Sequence, residues 1–382
     1  MRLSGPGKLC LALAVALAAP ARADDDDRSP AESPPPDAAP VRRRRPAREE
    51  PPAEKPPTPP PAAAEPPPAD VAPTVESSVF SPEGVEVKAD ARLFALFALL
   101  NADGYDDGPI RRALPAPKHA YGAVRADVRK RLAAAKLPEG LFDKAPRTPA
   151  TLALEAVAGK PVEGLDDAAK AAGIDVLFAA ALPALRADLK RWAAAVDAPL
   201  AKTRAALGLP GGDDAPKTTL AVEVLASPEL ATGESLPDGS VALVVGDAAA
   251  DEAPLVARAL ARASLEPALA GMAAKVKQLA EVRAAVAATA AGADVAADPQ
   301  AYLVDAFVEA AVAKAVAGDG AAAKLDAAVK RGNVLAKDAA KALDAADKGK
   351  GTLAERLGPE VARLEARKAA EAFLKSAIPP VR

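Results

Sequence analysis

Proline is the feature that most limits what this chain can fold into. Residues 24–75 hold 17 of its 39 prolines and almost no aromatic or large aliphatic residues. Such a segment cannot bury enough apolar surface to offset the entropy of ordering, so we expect an extended, disordered linker. Its charged runs, Asp24–Asp27 and Arg42–Arg45, fit a solvated spacer or a tether with a basic patch for an anionic envelope polymer. Folding is therefore left to about 300 residues after Val75, enough for one large core.

The first 23 residues have the pattern of a secretory signal peptide. Arg2 and Lys8 give a positive start, residues 9–19 are apolar, and residues 21–23 form a small-x-small cleavage site. The apolar stretch is too short to span a bilayer, and no later run reaches about 18 uncharged apolar residues. We therefore expect an exported protein, periplasmic or extracellular, without a transmembrane segment.

The scarcity of cysteine and histidine excludes several chemistries. Cys10 is the only cysteine and lies in the predicted signal peptide, so the mature chain has no disulfide, thiol nucleophile or thiolate metal ligand. Lys8 stands where a lipobox has a small or apolar residue, which argues against lipidation of Cys10. His119 is the only histidine, and no nucleophile-elbow motif accompanies it, which disfavours a Ser-His-Asp site. The net charge of −3 provides no field that would recruit nucleic acid. We predict no metal, no cofactor and no catalytic residue.

Hydrophobic periodicity predicts an α+β fold in which helices dominate. Strands are expected at 84–88, 220–225 and 241–245, with turn residues at 226–240. Trp192 is expected to be a core residue. We predict a folded domain at 76–318 and a C-terminal helical extension at 319–382. Helices are expected at about 92–100, 117–136, 148–158, 164–172, 174–206, 252–291, 298–317, 319–346 and 352–376.

The order of elements after residue 219 resembles the active-site region of zincin metallopeptidases. Two strands precede a helix with Arg258, Ala259, Arg262 and Pro267, and a second helix carries Asp305 and Glu309. The chain is most similar to a bacterial family of secreted zincin-like domains, in which a strand ending in glycine precedes a helix with H-E-x-x-H-x-x-x-x-P. A glutamate near the start of the following helix completes that family's site. The resemblance extends over residues 83–318 and implies a zincin-like domain with a small sheet.

The resemblance also implies that the metal site has been lost. It places Arg258 and Arg262 where the family has its two histidine ligands, and Ala259 where it has the general base. Asp305 falls at the third ligand, with Glu309 as the other candidate. A working zinc site of this motif requires neutral imidazoles at i and i+4 on one helix face, whereas arginine stays protonated and only donates hydrogen bonds. Alanine cannot accept a proton from a metal-bound water, so the resemblance implies a protein that is not a peptidase.

Three arrangements are open for the two arginines. Arg258 and Arg262 lie one helical turn apart, on the face expected to meet Asp305, so arginine–carboxylate pairs could join the two helices in place of the metal. Alternatively, both arginines point to solvent. In a third arrangement they line the former cleft and bind an anion or a peptide carboxylate.

The sequence leaves three functions open. The first is an exported, non-catalytic pseudo-metallopeptidase with a structural or binding role in the cell envelope, where its partner would be a protein or a peptide. The second is a helical envelope interaction module unrelated to peptidases. The third, an active metallopeptidase, would need metal ligands that the sequence does not contain.

Overall fold

A computed structural model gives the structure of the chain. It describes residues 77–102, 148–246, 252–292, 295–296 and 298–377, together with positions 130, 131 and 134. The signal peptide, the proline-rich linker, His119 and most of the predicted helix at 117–136 lie outside these residues. Contacts divide the chain into Met1–Ala69 and Asp70–Arg382, and all the described residues belong to the second unit.

A mixed five-stranded sheet forms one layer of the described structure. The strands are β1 (Ser78–Phe80), β2 (Glu86–Lys88), β3 (Thr218–Glu223), β4 (Ala231–Ser235) and β5 (Val241–Gly246), in the order β1-β2-β3-β5-β4. The three central strands β2, β3 and β5 are parallel, and both edge strands are antiparallel to their neighbours. All six residues of β5 are buried, as a central strand covered on both faces requires.

Helices make up most of the rest, which confirms a predominantly helical α+β fold. None of the described helices is by itself long and apolar enough to cross a bilayer. The helices Leu165–Ala172 and Ile174–Ala195 together meet that measure, but they are bent by 79° at their junction. The helices are α1 (Ala91–Ala102), α2 (Pro149–Val157), α3 (Leu165–Ala172), α4 (Ile174–Ala195), α5 (Asp197–Leu207), α6 (Ala253–Leu269), α7 (Leu279–Ala287), α8 (Pro299–Val316), α9 (Ala321–Lys330), α10 (Ala336–Ala346), α11 (Leu353–Val361) and α12 (Ala366–Ala377).

Helix α6 lies between two hydrophobic cores. Ala259 and Ala263 pack in a core formed with the sheet and α1–α4, which also contains the fully buried Trp192. Ala257 and Ala261, on the other side of α6, pack with α8 and with helices α10–α12. The C-terminal helices therefore share a core with α6 and α8. Because α6 is buried on two sides, its position is fixed relative to the sheet and to the C-terminal helices.

Several predicted helices are interrupted in the structure. The helix predicted at 174–206 breaks at Val196, because Pro199 lacks the N–H that would bond to the carbonyl of Ala195. The helix predicted at 252–291 breaks at Gly271, whose φ of +70° does not continue a right-handed helix. The helix predicted at 319–346 breaks at Gly332.

The sheet contains an edge strand where turn residues were expected. β4 lies within 226–240 and pairs with β5 over five residues, from Ala231 opposite Val245 to Ser235 opposite Val241. Its central residue, Gly233, allows a close approach to α6, since an added Cβ would lie 2.6 Å from the carbonyl oxygen of Ala259. The expectation of a turn throughout 226–240 was wrong.

Candidate functional site

Helices α6 and α8 carry all five residues of the predicted degenerate site. α6 has Pro254 in its first turn, where the missing N–H costs no hydrogen bond. α8 begins at an N-cap, Asp298, whose carboxylate accepts a hydrogen bond of 2.8 Å from the N–H of Ala301. Arg258 and Arg262 are one turn apart on α6, and Asp305 and Glu309 are one turn apart on α8, so the two pairs can face each other.

Arg262 joins α6 to α8 through Asp305. Its Nη2 lies 2.6 Å from Asp305 Oδ1, and its Nη1 lies 3.1 Å from Glu266 Oε1, one turn further along α6. Burial acts to lower the pKa of Arg262, but the two carboxylates outweigh burial and raise that pKa above its ordinary value. The guanidinium is therefore charged and shared between two carboxylates.

Arg258 makes the second connection between the helices. Its Nη1 lies 2.7 Å from Glu309 Oε1, and the side chain of Glu309 is 19% exposed. Arg331, just after α9, approaches the other oxygen of the same carboxylate at 3.7 Å. Glu309 is therefore held between two cations from separate elements. Together with the Arg262–Asp305 contact, this forms what we call the paired-arginine staple: Arg258, Arg262, Asp305 and Glu309.

The staple confirms the predicted arginine–carboxylate pairing and excludes the arrangement in which both arginines point to solvent. Glu266 and Arg331 were not predicted as part of it. The spacing of Arg262 and Glu266 at i and i+4 was a readable signal, because side chains four apart on a helix are neighbours. Arg331 lies in a different element and has no such signal.

The position expected for a general base carries no chemistry. Ala259 is fully buried, and its methyl group belongs to the core on the sheet side of α6. Among the residues that the structure describes, no group of three or more His, Cys, Asp or Glu is placed to hold a metal ion. Guanidinium groups donate hydrogen bonds and cannot ligate zinc. The four charged side chains can tie α6 and α8 together.

A groove lies beside the staple, along the outer edge of β4. It encloses about 470 Å³ and is bounded by α2 on one side and the C-terminal half of α6 on the other. Lys160 bonds to Glu234 at 2.8 Å on the α2 side, while Arg262 and Glu266 form part of the α6 side. The groove is thus lined by a strand edge and by charged residues, one of which belongs to the staple.

The chain was compared with protein-family models, curated proteins and solved structures, and none of the three comparisons gives a match. The site is therefore interpreted from its own geometry. The likeness to zincin domains stays a prediction from the sequence, where it rests on the order of the strands and helices.

Proposed function

We propose that this chain is an exported, non-catalytic zincin-like protein with a structural or binding role in the cell envelope. The staple is the observation that supports the proposal. In an active zincin a metal ion would join the ligand-bearing helix to the next helix. Here two ion pairs, of 2.6 and 2.7 Å, join the corresponding helices. Salt bridges with this geometry provide cohesion without hydrolytic chemistry.

A grafted zinc site tests this proposal. In Arg258→His/Arg262→His, two imidazoles at i and i+4 would face Asp305 and Glu309. The two imidazoles with one of these carboxylates would supply the three protein ligands of a catalytic-type zinc site. We expect this variant to bind one Zn²⁺ at least about tenfold more tightly than a matched variant that also carries Asp305→Asn and Glu309→Gln. Isothermal titration calorimetry measures both affinities.

Two further measurements complete the test. Arg258→Gln/Arg262→Gln removes the staple without offering ligands, so any zinc-dependent rise in thermal midpoint must be confined to the histidine variant. The wild-type protein, dialysed and analysed for metal, is expected to contain no stoichiometric zinc and to leave casein intact. Equal zinc affinity in the histidine variants with and without the two carboxylates would contradict the zincin-like interpretation and favour the unrelated helical module.

A further inference from the structure

A second concave surface lies on the C-terminal helices. It is a pocket of about 590 Å³ between the start of α7 and the turn that joins α11 to α12. Lys277 and Gln278 line one side, and residues 362–368 with Glu371 line the other. Leu279 and Val282 of α7 share a hydrophobic core with Ala370 and Phe373 of α12. The two sides of the pocket are therefore held at a fixed spacing.

Positive charge is in excess in this pocket. Its ionisable lining residues are four cations and two carboxylates: Lys277, Arg363, Arg367 and Lys368, with Glu365 and Glu371. A neighbouring pocket of about 580 Å³, between α10 and α12, has three cations and three carboxylates in its lining: Lys341, Arg363 and Lys368, with Asp338, Glu360 and Glu365. The excess of cations is thus a property of the pocket beside α7, which we call the basic pocket.

The cations of the basic pocket are accessible to a ligand. The side chains of Arg363, Arg367 and Lys368 are 71%, 71% and 82% exposed, and each contacts a carboxylate three or four residues away in sequence. Exposed pairs of this spacing stabilise a fold very little, so the carboxylate of a ligand can share or replace them. Lys277 is also exposed and makes no ion pair within the described ranges.

The backbone beside Lys277 has a conformation that is costly for a residue with a side chain. Gln278 has a φ of +59°, and no other non-glycine residue among the described positions has a positive φ. Backbone conformations of this kind cluster at binding and active sites. The Gln278 side chain makes no capping hydrogen bond to α7, so its amide can donate to and accept from a bound peptide backbone.

We propose that the basic pocket binds an acidic segment of a partner protein, with carboxylate side chains of the segment against Lys277 and Arg367. The inference rests on the proposed binding role and names the chemistry of the partner. Side chains two residues apart in an extended segment lie about 6.8 Å apart on one face, which is close to the spacing of about 5.4 Å between successive turns of α12. No aromatic side chain lines the pocket, so nucleic-acid bases would have no stacking platform there.

Fluorescence anisotropy with three labelled probes tests the proposal. The probes are Ser-Glu-Ser-Glu-Ser-Glu-Ser, its counterpart with Gln for Glu, and an oligothymidylate with the same number of negative charges as the acidic peptide. The wild type is expected to bind only the acidic peptide, and more weakly as salt is added. No binding of that peptide at about 1 mM, or equally tight binding of either other probe, would overturn the proposal.

Matched variants separate the basic pocket from the general surface charge. Lys277→Ala/Arg367→Ala is expected to weaken binding of the acidic peptide about tenfold, whereas Lys330→Ala/Lys341→Ala, which removes two exposed cations outside the basic pocket, leaves it unchanged. Glu371→Gln removes the carboxylate that competes for Arg367 and is expected to strengthen binding about twofold. Equal weakening by the two double variants, or weaker binding by Glu371→Gln, would contradict the proposed site. Because the zinc graft uses no peptide, failure here leaves the test of the non-catalytic fold intact.

Discussion

Arg262 on α6 and Asp305 on α8 meet at 2.6 Å, although 43 residues separate them in the chain. Both side chains are partly screened from solvent, at 24% and 33% exposed. The contact therefore lies between a surface ion pair, which stabilises a fold by less than about 1 kcal/mol, and a fully buried one.

Breaking this contact from the arginine side is expected to destabilise the domain moderately. Arg262→Ala leaves two carboxylates close together without their shared cation, so we expect the free energy of unfolding to fall by about 1–2 kcal/mol. Urea denaturation measures the change, with the exposed Arg367→Ala as the control. A double-mutant cycle with Asp305→Ala that gives no coupling would show that the pair contributes nothing.

An acid at the position of Ala259 is expected to be tolerated poorly. Ala259→Glu places a carboxylate in the core on the sheet side of α6, where the alanine is fully buried. The expected loss of stability is about 3 kcal/mol or more, because an ionised group must be desolvated or protonated there. Ala323→Glu, at an exposed position of α9, is the matched control. If thermal denaturation gives the two variants the same midpoint, position 259 has more space than its burial indicates.

The end of β5 is expected to reject any side chain. A Cβ at Gly246 would lie 1.8 Å from the carbonyl oxygen of Ser227, which belongs to the backbone and cannot rotate away. Gly246→Ala should therefore cost about 3 kcal/mol or more. Gly211→Ala meets open space at a negative φ and is expected to be neutral or slightly stabilising. Denaturant midpoints of both variants provide the comparison, and similar values would be inconsistent with the close packing at Gly246.

Tyr302 is expected to make stability fall at high pH. Its hydroxyl donates to the carbonyl of Gly332 at 2.8 Å and accepts from the N–H of Val334 at 3.1 Å. Burial raises the pKa of Tyr302 to about 12, against an ordinary value of 10.0. Since the folded pKa is the higher one, this stabilisation is complete below pH 10 and is lost as the pH rises toward 12.

The matched variant for that prediction is Tyr302→Phe. At pH 8 it should lose about 1 kcal/mol, because two hydrogen bonds of the buried hydroxyl are lost, while the N–H of Val334 keeps its bond of 2.9 Å to the carbonyl of Gly332. Between pH 10 and pH 12 its stability should decline less steeply than that of the wild type. Urea unfolding measured across this range checks the difference, and parallel declines would assign the pH dependence to other groups.

Periodicity in the sequence predicts the elements whose burial pattern is regular. The continuous apolar run at 241–245 became β5, and the helix predicted at 298–317 became α8, with Asp298 as its N-cap. β4 could not be predicted, because its strand geometry depends on pairing with β5 and on the close approach of Gly233 to α6. Local sequence there resembles a turn.

The part of the candidate site that depends on spacing within one helix could also be predicted from the sequence. Spacing at i and i+4 placed Arg258 and Arg262 on one face of α6, and helix order brought Asp305 within reach. The groove could not be predicted, since it combines β4 with Lys160 and Glu266 from distant elements. Contacts within one helix were readable from the sequence, whereas contacts between three elements required the fold.

Trp192 is an intrinsic fluorophore in the core of the protein. It is the only tryptophan, it is fully buried, and the guanidinium of Arg191 lies 5.7 Å from its ring centroid. Arg191 also pairs with Glu252 at the start of α6. Emission from one indole should therefore respond when α4 separates from the beginning of α6, so loosening of this junction can be followed by fluorescence without any added label.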